Sequence, residues 1–222
     1  MLTWVSLGLA GSAAAVAVRW LATRVDAIGR HRAFPWVSVL LLALLAAGAA
    51  TPGVLDARRE RRLARVATVL VGAEVSVRCQ DFGGAFVDAG VELGYVRYRP
   101  DGTPERSTLI KRDQCRDLAA YLRSDKRDPS HAQVLAVHVL SHEAMHMAGI
   151  VDEARAECAA VQRDALTARL LGASAADARA LAGRYWRTVY PAMPDGYRTE
   201  ACGPGRSLDE GGPDAPWTPA AP

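Results

Sequence analysis

Phe34–Leu55 contains no charged side chain, and this uncharged run of 22 residues constrains the chain more than any other stretch. A helix of that length spans the roughly 30 Å hydrocarbon layer of a bilayer, at about 1.5 Å per residue. A second uncharged run, Leu2–Val18, ends at Arg19-Trp20. There the arginine can snorkel and the indole can sit at the lipid–water boundary. A cleaved signal peptide fits poorly, because no Lys or Arg precedes the first run and a second run follows it. Residues 1–66 are therefore predicted to form a membrane hairpin, with spans at about 2–22 and 34–55 and a basic flank behind the second. Membrane lipid is the first expected partner.

Basic residues set the expected orientation. The short loop between the runs carries Arg19, Arg24, Arg30 and Arg32, which places it in the cytoplasm and everything after Leu55 outside. Arg58, Arg59, Arg61, Arg62 and Arg65 pull the other way, but the first helix usually dominates. The cysteines agree with an oxidising compartment. Cys79, Cys115, Cys158 and Cys202 are even in number and widely spaced, with no CxxC. Three pairings are open. Cys79–Cys115 with Cys158–Cys202 is favoured, since each bridge then stays within one half of the domain; four reduced thiols are the alternative. The formal net charge of +3 is too mild to point to a nucleic-acid partner.

Residues 67–200 suffice for one domain with its own core. Strand-like alternation runs through Glu74–Arg78, Leu93–Tyr98 and Ser107–Ile110, and Pro100-Asp101-Gly102-Thr103 between the last two is a turn signal for a hairpin. Helices are expected over 113–123, 131–148, 153–171 and 175–189, the last entered through Ser174 with Asp177 three residues on. The prediction is an α+β fold: a transmembrane hairpin, then a small, mostly helical domain with a short β-hairpin. Gly83-Gly84 lack the strand–helix context of a phosphate-binding loop. Residues 201–222, rich in Gly and Pro, are predicted to be disordered.

The chemistry concentrates in the 131–148 helix. His142-Glu143-Ala144-Met145-His146 is an HExxH motif. Four residues apart on a helix, His142 and His146 share a face and can present two imidazoles to one metal ion. Glu143 stands at the edge of that face, where it can take a proton from a metal-bound water without ligating the metal. From Pro129 to Val151 it is the one formally charged side chain. A carboxylate in an apolar helix is costly without a compensating partner, and a cation is such a partner. The bland alternative is a core helix with hydrogen-bonded histidines. His138, one turn earlier, is read as a satisfied core histidine that could line the same pocket; His131 carries no functional expectation.

Downstream runs Asp152-Glu153-Ala154-Arg155-Ala156-Glu157. Here the sequence resembles the gluzincin branch of the zincin metallopeptidases, in which HExxH is followed by a helix bearing an ExxxD-type motif. The resemblance implies zinc held by His142, His146 and Glu153, with Glu157 hydrogen-bonding His142 and Glu143 as general base. Two departures stand out: the connection from His146 to Glu153 is short for that branch, and the second acid is Glu rather than Asp. His142–Asp152 also reads HExxHxxGxxD, similar to the metzincin branch. That rival would make Asp152 the third ligand, with Met193 beneath the metal. Asp152 also reads as the N-cap of the 153–171 helix; Glu157 ranks third as a ligand. The resemblance implies a membrane-anchored zinc peptidase acting on an unspecified peptide or protein. The alternatives are a non-catalytic envelope protein whose HExxH helix is structural or holds zinc for stability, and a hairpin module that contacts anionic lipid.

Overall fold

Two apolar helices open the chain, α1 (Leu2–Thr23) and α2 (Trp36–Val71), and both are long and apolar enough to cross a membrane. This computed structural model describes residues 2–25, 28–80 and 92–218, and it divides into two compact units, Met1–Arg58 and Arg59–Pro222. In the first unit, apolar side chains such as Leu7, Val37, Leu40 and Leu44 stay exposed. Trp20, Phe34 and Trp36 meet edge-to-face in the connection, where the Trp20 indole donates to the Arg32 carbonyl. Pro52 lies within α2, tolerated despite the backbone hydrogen bond it cannot make.

α2 runs well past Leu55, where the uncharged run ends. Leu63, Val66, Ala67 and Leu70 recur at helical spacing, and the first three are buried in the core of the second unit. The basic flank is thus the polar face of an amphipathic helix. The compact unit starts at Arg59, earlier than the boundary expected at 66.

In the second unit three strands form a sheet of order β1-β3-β2: β1 (Ser76–Cys79), β2 (Gly94–Tyr98) and β3 (Pro104–Ile110). β2 and β3 are the predicted hairpin, turning through Asp101 and Gly102, whose φ of +80° suits glycine. β1 adds in parallel to β3. Gly83-Gly84 lie outside the described residues.

Helices α3 (Arg112–Arg123), α4 (His131–Met147), α5 (Glu153–Val161), α6 (Asp164–Leu170) and α7 (Ala175–Thr188) supply the remaining mass. α4 is the central element, buried continuously from Ala136 to Met147 between the sheet and α3, α5, α6 and α7. A Ser130–Gln133 capping box starts it. It ends in a Schellman turn: Ile150 N–H donates to the Met145 carbonyl and Gly149 N–H to that of His146, with Gly149 at φ +102°.

Two expectations are corrected. The single helix expected over 153–171 is two, broken at Gln162-Arg163. There the buried Gln162 amide donates to the Cys158 and Leu208 carbonyls, and its oxygen accepts from Glu210 N–H. Nor is the 201–222 segment a disordered tail over its described part. Cys202 is buried, Trp217 packs edge-to-face on Trp186, and Arg163–Glu210 and Arg169–Asp214 ion pairs tie the segment down. Composition misleads here because these anchors are side-chain contacts with distant helices.

The disulfides are Cys79–Cys115, joining β1 to α3, and Cys158–Cys202, joining α5 to the C-terminal segment. Closing loops of this size contributes about 4 kcal/mol each on a chain-entropy estimate.

Candidate metal centre

α4 carries His138, His142 and His146 one turn apart on the face that meets α5. Hydrogen bonding sets the tautomers of the last two. His146 Nδ1 lies 2.7 Å from the Ile150 carbonyl, which can only accept, so Nδ1 carries the proton and Nε2 keeps its lone pair. The Schellman turn places that carbonyl there. His142 Nδ1 lies 3.0 Å from Glu157 Oε2, so its Nε2 is free in the same way. The two Nε2 atoms stand 3.0 Å apart, and Glu153 Oε2 lies 3.1 Å from one and 3.2 Å from the other. With both imidazoles neutral, three lone pairs converge.

Such a convergence is repulsive unless a cation or proton sits within it. Ligands about 2.1 Å from a tetrahedral metal stand about 3.4 Å apart, slightly wider than the separations here, so these side chains fit a metal ion with little movement. Glu153 is the first residue of α5, with its side chain 45% exposed, so the triad keeps an open side. Without a metal, a hydrogen bond from His142 and the proximity of His146 hold the Glu153 carboxyl down to about 2. Burial opposes charge on His142, but hydrogen bonds to Glu153 and Glu157 outweigh it and raise the imidazole to about 9.

Asp152 stands outside the cluster. It is the N-cap of α5, accepting from Arg155 N–H at 2.9 Å, and its carboxylate is committed to the backbone. Glu157, one turn after Glu153, faces the other edge of His142. Its Oε2 also lies 2.9 Å from His138 Nε2, and its Oε1 accepts from the Tyr185 hydroxyl at 2.6 Å. Burial alone would raise Glu157, but His138 and His142 pull it well below the carboxylate range. His138 Nδ1 meets Asp164 at 2.9 Å, and its ring stacks on Tyr185 at 3.7 Å. Burial opposes the His138 charge, but Asp164 and Glu157 prevail and raise it to about 10.

Among the described residues, two overlapping groups could therefore hold a metal ion: His142, His146 and Glu153, and the buried His138, His142 and Glu157. The second group is closed to solvent, whereas the Glu153 carboxylate of the first is half-exposed. The first is the better fit for an ion that must also meet a substrate.

Beside the triad, Glu143 is 4% exposed and borders a cleft of about 490 Å³ lined by α4, β2 and the segment after α7. Burial raises its pKa, outweighing the attraction of His142 and His146. Thr108 Oγ1 lies 3.2 Å from its Oε2. Gly94 on β2 makes room for it, since a Cβ there would stand 2.9 Å from Glu143 Oε1. Tyr98 places its hydroxyl 3.3 Å from His146 Nδ1, and the Tyr197 ring lies 5.8 Å from that of His142. Met193 lines the cleft wall.

Sequence reasoning did not find Thr108, Gly94, Tyr98, Tyr197, Asp164 or Tyr185. The two carboxylates around His138 come from separate helices, and no spacing rule joins them. Gly94 carries one faint signal, a glycine inside a strand pattern, which marks close approach of another group. No family model matches the chain, and no curated protein or solved structure matches it either.

Proposed function

We propose that the second unit is a zincin-like, zinc-dependent peptidase, carried by a membrane-spanning hairpin and facing the extracytoplasmic side. One observation carries this reading: three lone pairs converge on an open cleft with a buried carboxylate, Glu143, beside them. Two imidazoles and a carboxylate are a donor set typical of catalytic zinc, with one position left for water. Zinc bound there supplies a water acidic near pH 7 and a polarised carbonyl.

The chain's own residues account for the rest. His142, His146 and Glu153 hold the ion, while Glu157 and the Ile150 carbonyl keep both Nε2 atoms turned toward it. Glu143 accepts a proton from the attacking water and passes it to the leaving amine. Its burial, by raising its affinity for the proton, suits that exchange. Among the described residues β2 pairs with β3 alone, and Leu93–Val96 lie along the cleft. An extended peptide is therefore the substrate class that fits, added along β2. The two disulfides favour an oxidising compartment, and membrane lipid is the partner of α1 and α2.

One observation favours the non-catalytic reading. With a proton on His142, the same triad satisfies itself by hydrogen bonds without a metal. The test is made on the full chain in detergent. One zinc per chain is expected, lost in His142→Ala. Glu143→Gln should keep the zinc but lower hydrolysis of a peptide library by about 10²-fold. Equal hydrolysis by Glu143→Gln and wild type would discard the mechanism, and absence of zinc would discard the metal reading.

A further inference from the structure

His138 does not belong to the converging triad, yet it is more deeply enclosed than either histidine of HExxH. Both its nitrogens are engaged, at 2.9 Å from Asp164 Oδ2 and 2.9 Å from Glu157 Oε2. Its face lies on the Tyr185 ring at an interplanar angle of 13°, and the Tyr185 hydroxyl holds the second oxygen of Glu157 at 2.6 Å. Glu157 therefore has one oxygen fixed by Tyr185 and the other shared between His138 and His142. Three rotatable bonds separate that carboxylate from its backbone, and without His138 the oxygen that faces His142 would be held by His142 itself and by no other side chain named here. The His138 ring is itself braced from behind by Asp164 on α6, whichever partner formally carries the proton between them.

We infer that His138 is a positioning residue of the metal centre: clamped by Asp164 and stacked on Tyr185, it holds the Glu157 carboxylate where that carboxylate orients His142. The chain of contacts runs Asp164–His138–Glu157–His142 and ends at the Nε2 lone pair offered to the metal. This rests on the metal reading above but concerns residues behind the His142–His146–Glu153 triad rather than the triad itself. Carboxylates that orient a ligating histidine typically contribute 10–100-fold in metal affinity. A group that orients such a carboxylate should act entirely through it.

The test is a zinc titration against a chromophoric chelator, using the full chain in detergent with zinc alone as probe. Wild type should bind one zinc, and Glu157→Gln should weaken affinity by about 10–100-fold. His138→Gln should weaken it by about tenfold with one zinc still bound, and the double substitution should be no weaker than Glu157→Gln. Thermal unfolding without zinc is followed in parallel. A merely structural His138 would lower the melting temperature and leave zinc affinity unchanged, which would overturn the inference, as would losses that add in the double variant. Two zinc ions in wild type falling to one in His138→Gln would make His138 a ligand and overturn it as well. Should His138→Gln not fold, Asp164→Asn and Tyr185→Phe keep the ring in place and carry the same non-additive expectation. A wild type that binds no zinc removes the metal reading itself. Tight wild-type binding that none of these variants disturbs overturns this inference alone.

Discussion

The two edges of the His142 ring face surroundings built from the same residue types and differ in where the protons sit. On the Nδ1 edge, Glu157, His138, Asp164 and Tyr185 alternate donors with acceptors, and none of the three ionisable groups flanking the ring exceeds 2% side-chain exposure. On the Nε2 edge, His146 and Glu153 turn lone pairs toward the same point, and Glu153 reaches solvent. The Nδ1 side is closed and paired except at the second Asp164 oxygen, which has no hydrogen-bond partner; the Nε2 side is open, with room for a cation. Histidine and glutamate content alone does not locate a metal centre. The hydrogen bonds narrow the candidates, because on the Nε2 edge one His142 proton at most is shared among three acceptor atoms.

The comparison breaks first at the ligands. His146→Ala and Glu153→Ala are each expected to abolish one-equivalent zinc binding, measured by metal analysis after gel filtration, whereas Glu157→Gln should retain the equivalent at reduced affinity. Equal losses on both edges would erase the distinction.

Protons sharpen it next. Metal binding must displace the proton that His142 holds up to about 9, so zinc affinity should rise about tenfold per pH unit from pH 6 to 8. Stability of the metal-free protein should move the opposite way. His142 and His138 are raised from 6.5 to about 9 and about 10, so their contribution is complete below pH 6.5 and lost as pH climbs through 9 and 10. Chelator-treated protein whose melting temperature rose across that window would contradict the network described.

A smaller effect is expected at Gly94. A methyl group there must displace Glu143 by a few tenths of an ångström, so Gly94→Ala should cost about tenfold in hydrolysis while zinc affinity stays unchanged. Smallest is Asp152→Ala, which should lower stability by about 1 kcal/mol through loss of the cap and leave zinc content untouched. Loss of zinc in that variant would restore the metzincin-like assignment.

Local features were legible in the sequence. The Ser174 start of α7, the Asp152 cap and the i, i+4 histidines are all set within one or two helical turns, and the structure shows each. The disulfide partners were legible because each joins neighbouring segments of one half. What escaped depends on contacts across the chain. α2 continues because Leu63, Val66 and Ala67 find a core, although the uncharged run has ended. The break after Val161 contains neither Gly nor Pro, and Gln162 is held by Leu208 and Glu210, more than forty residues on. Asp164 reaches His138 because of tertiary placement, for which no local periodicity speaks.

The backbone acceptor of His146 bears on how this site can change by mutation. Every amino acid at position 150 offers a carbonyl, so no codon change there deletes the group that sets the ring's tautomer. The vulnerable codon is that of Gly149, where φ +102° is strained for any side chain. His142 has no comparable shelter, because its acceptor is the Glu157 side chain, which a single nucleotide substitution can remove. Under random substitution, the orientation of the first imidazole is the more easily lost, while that of the second is still inherited.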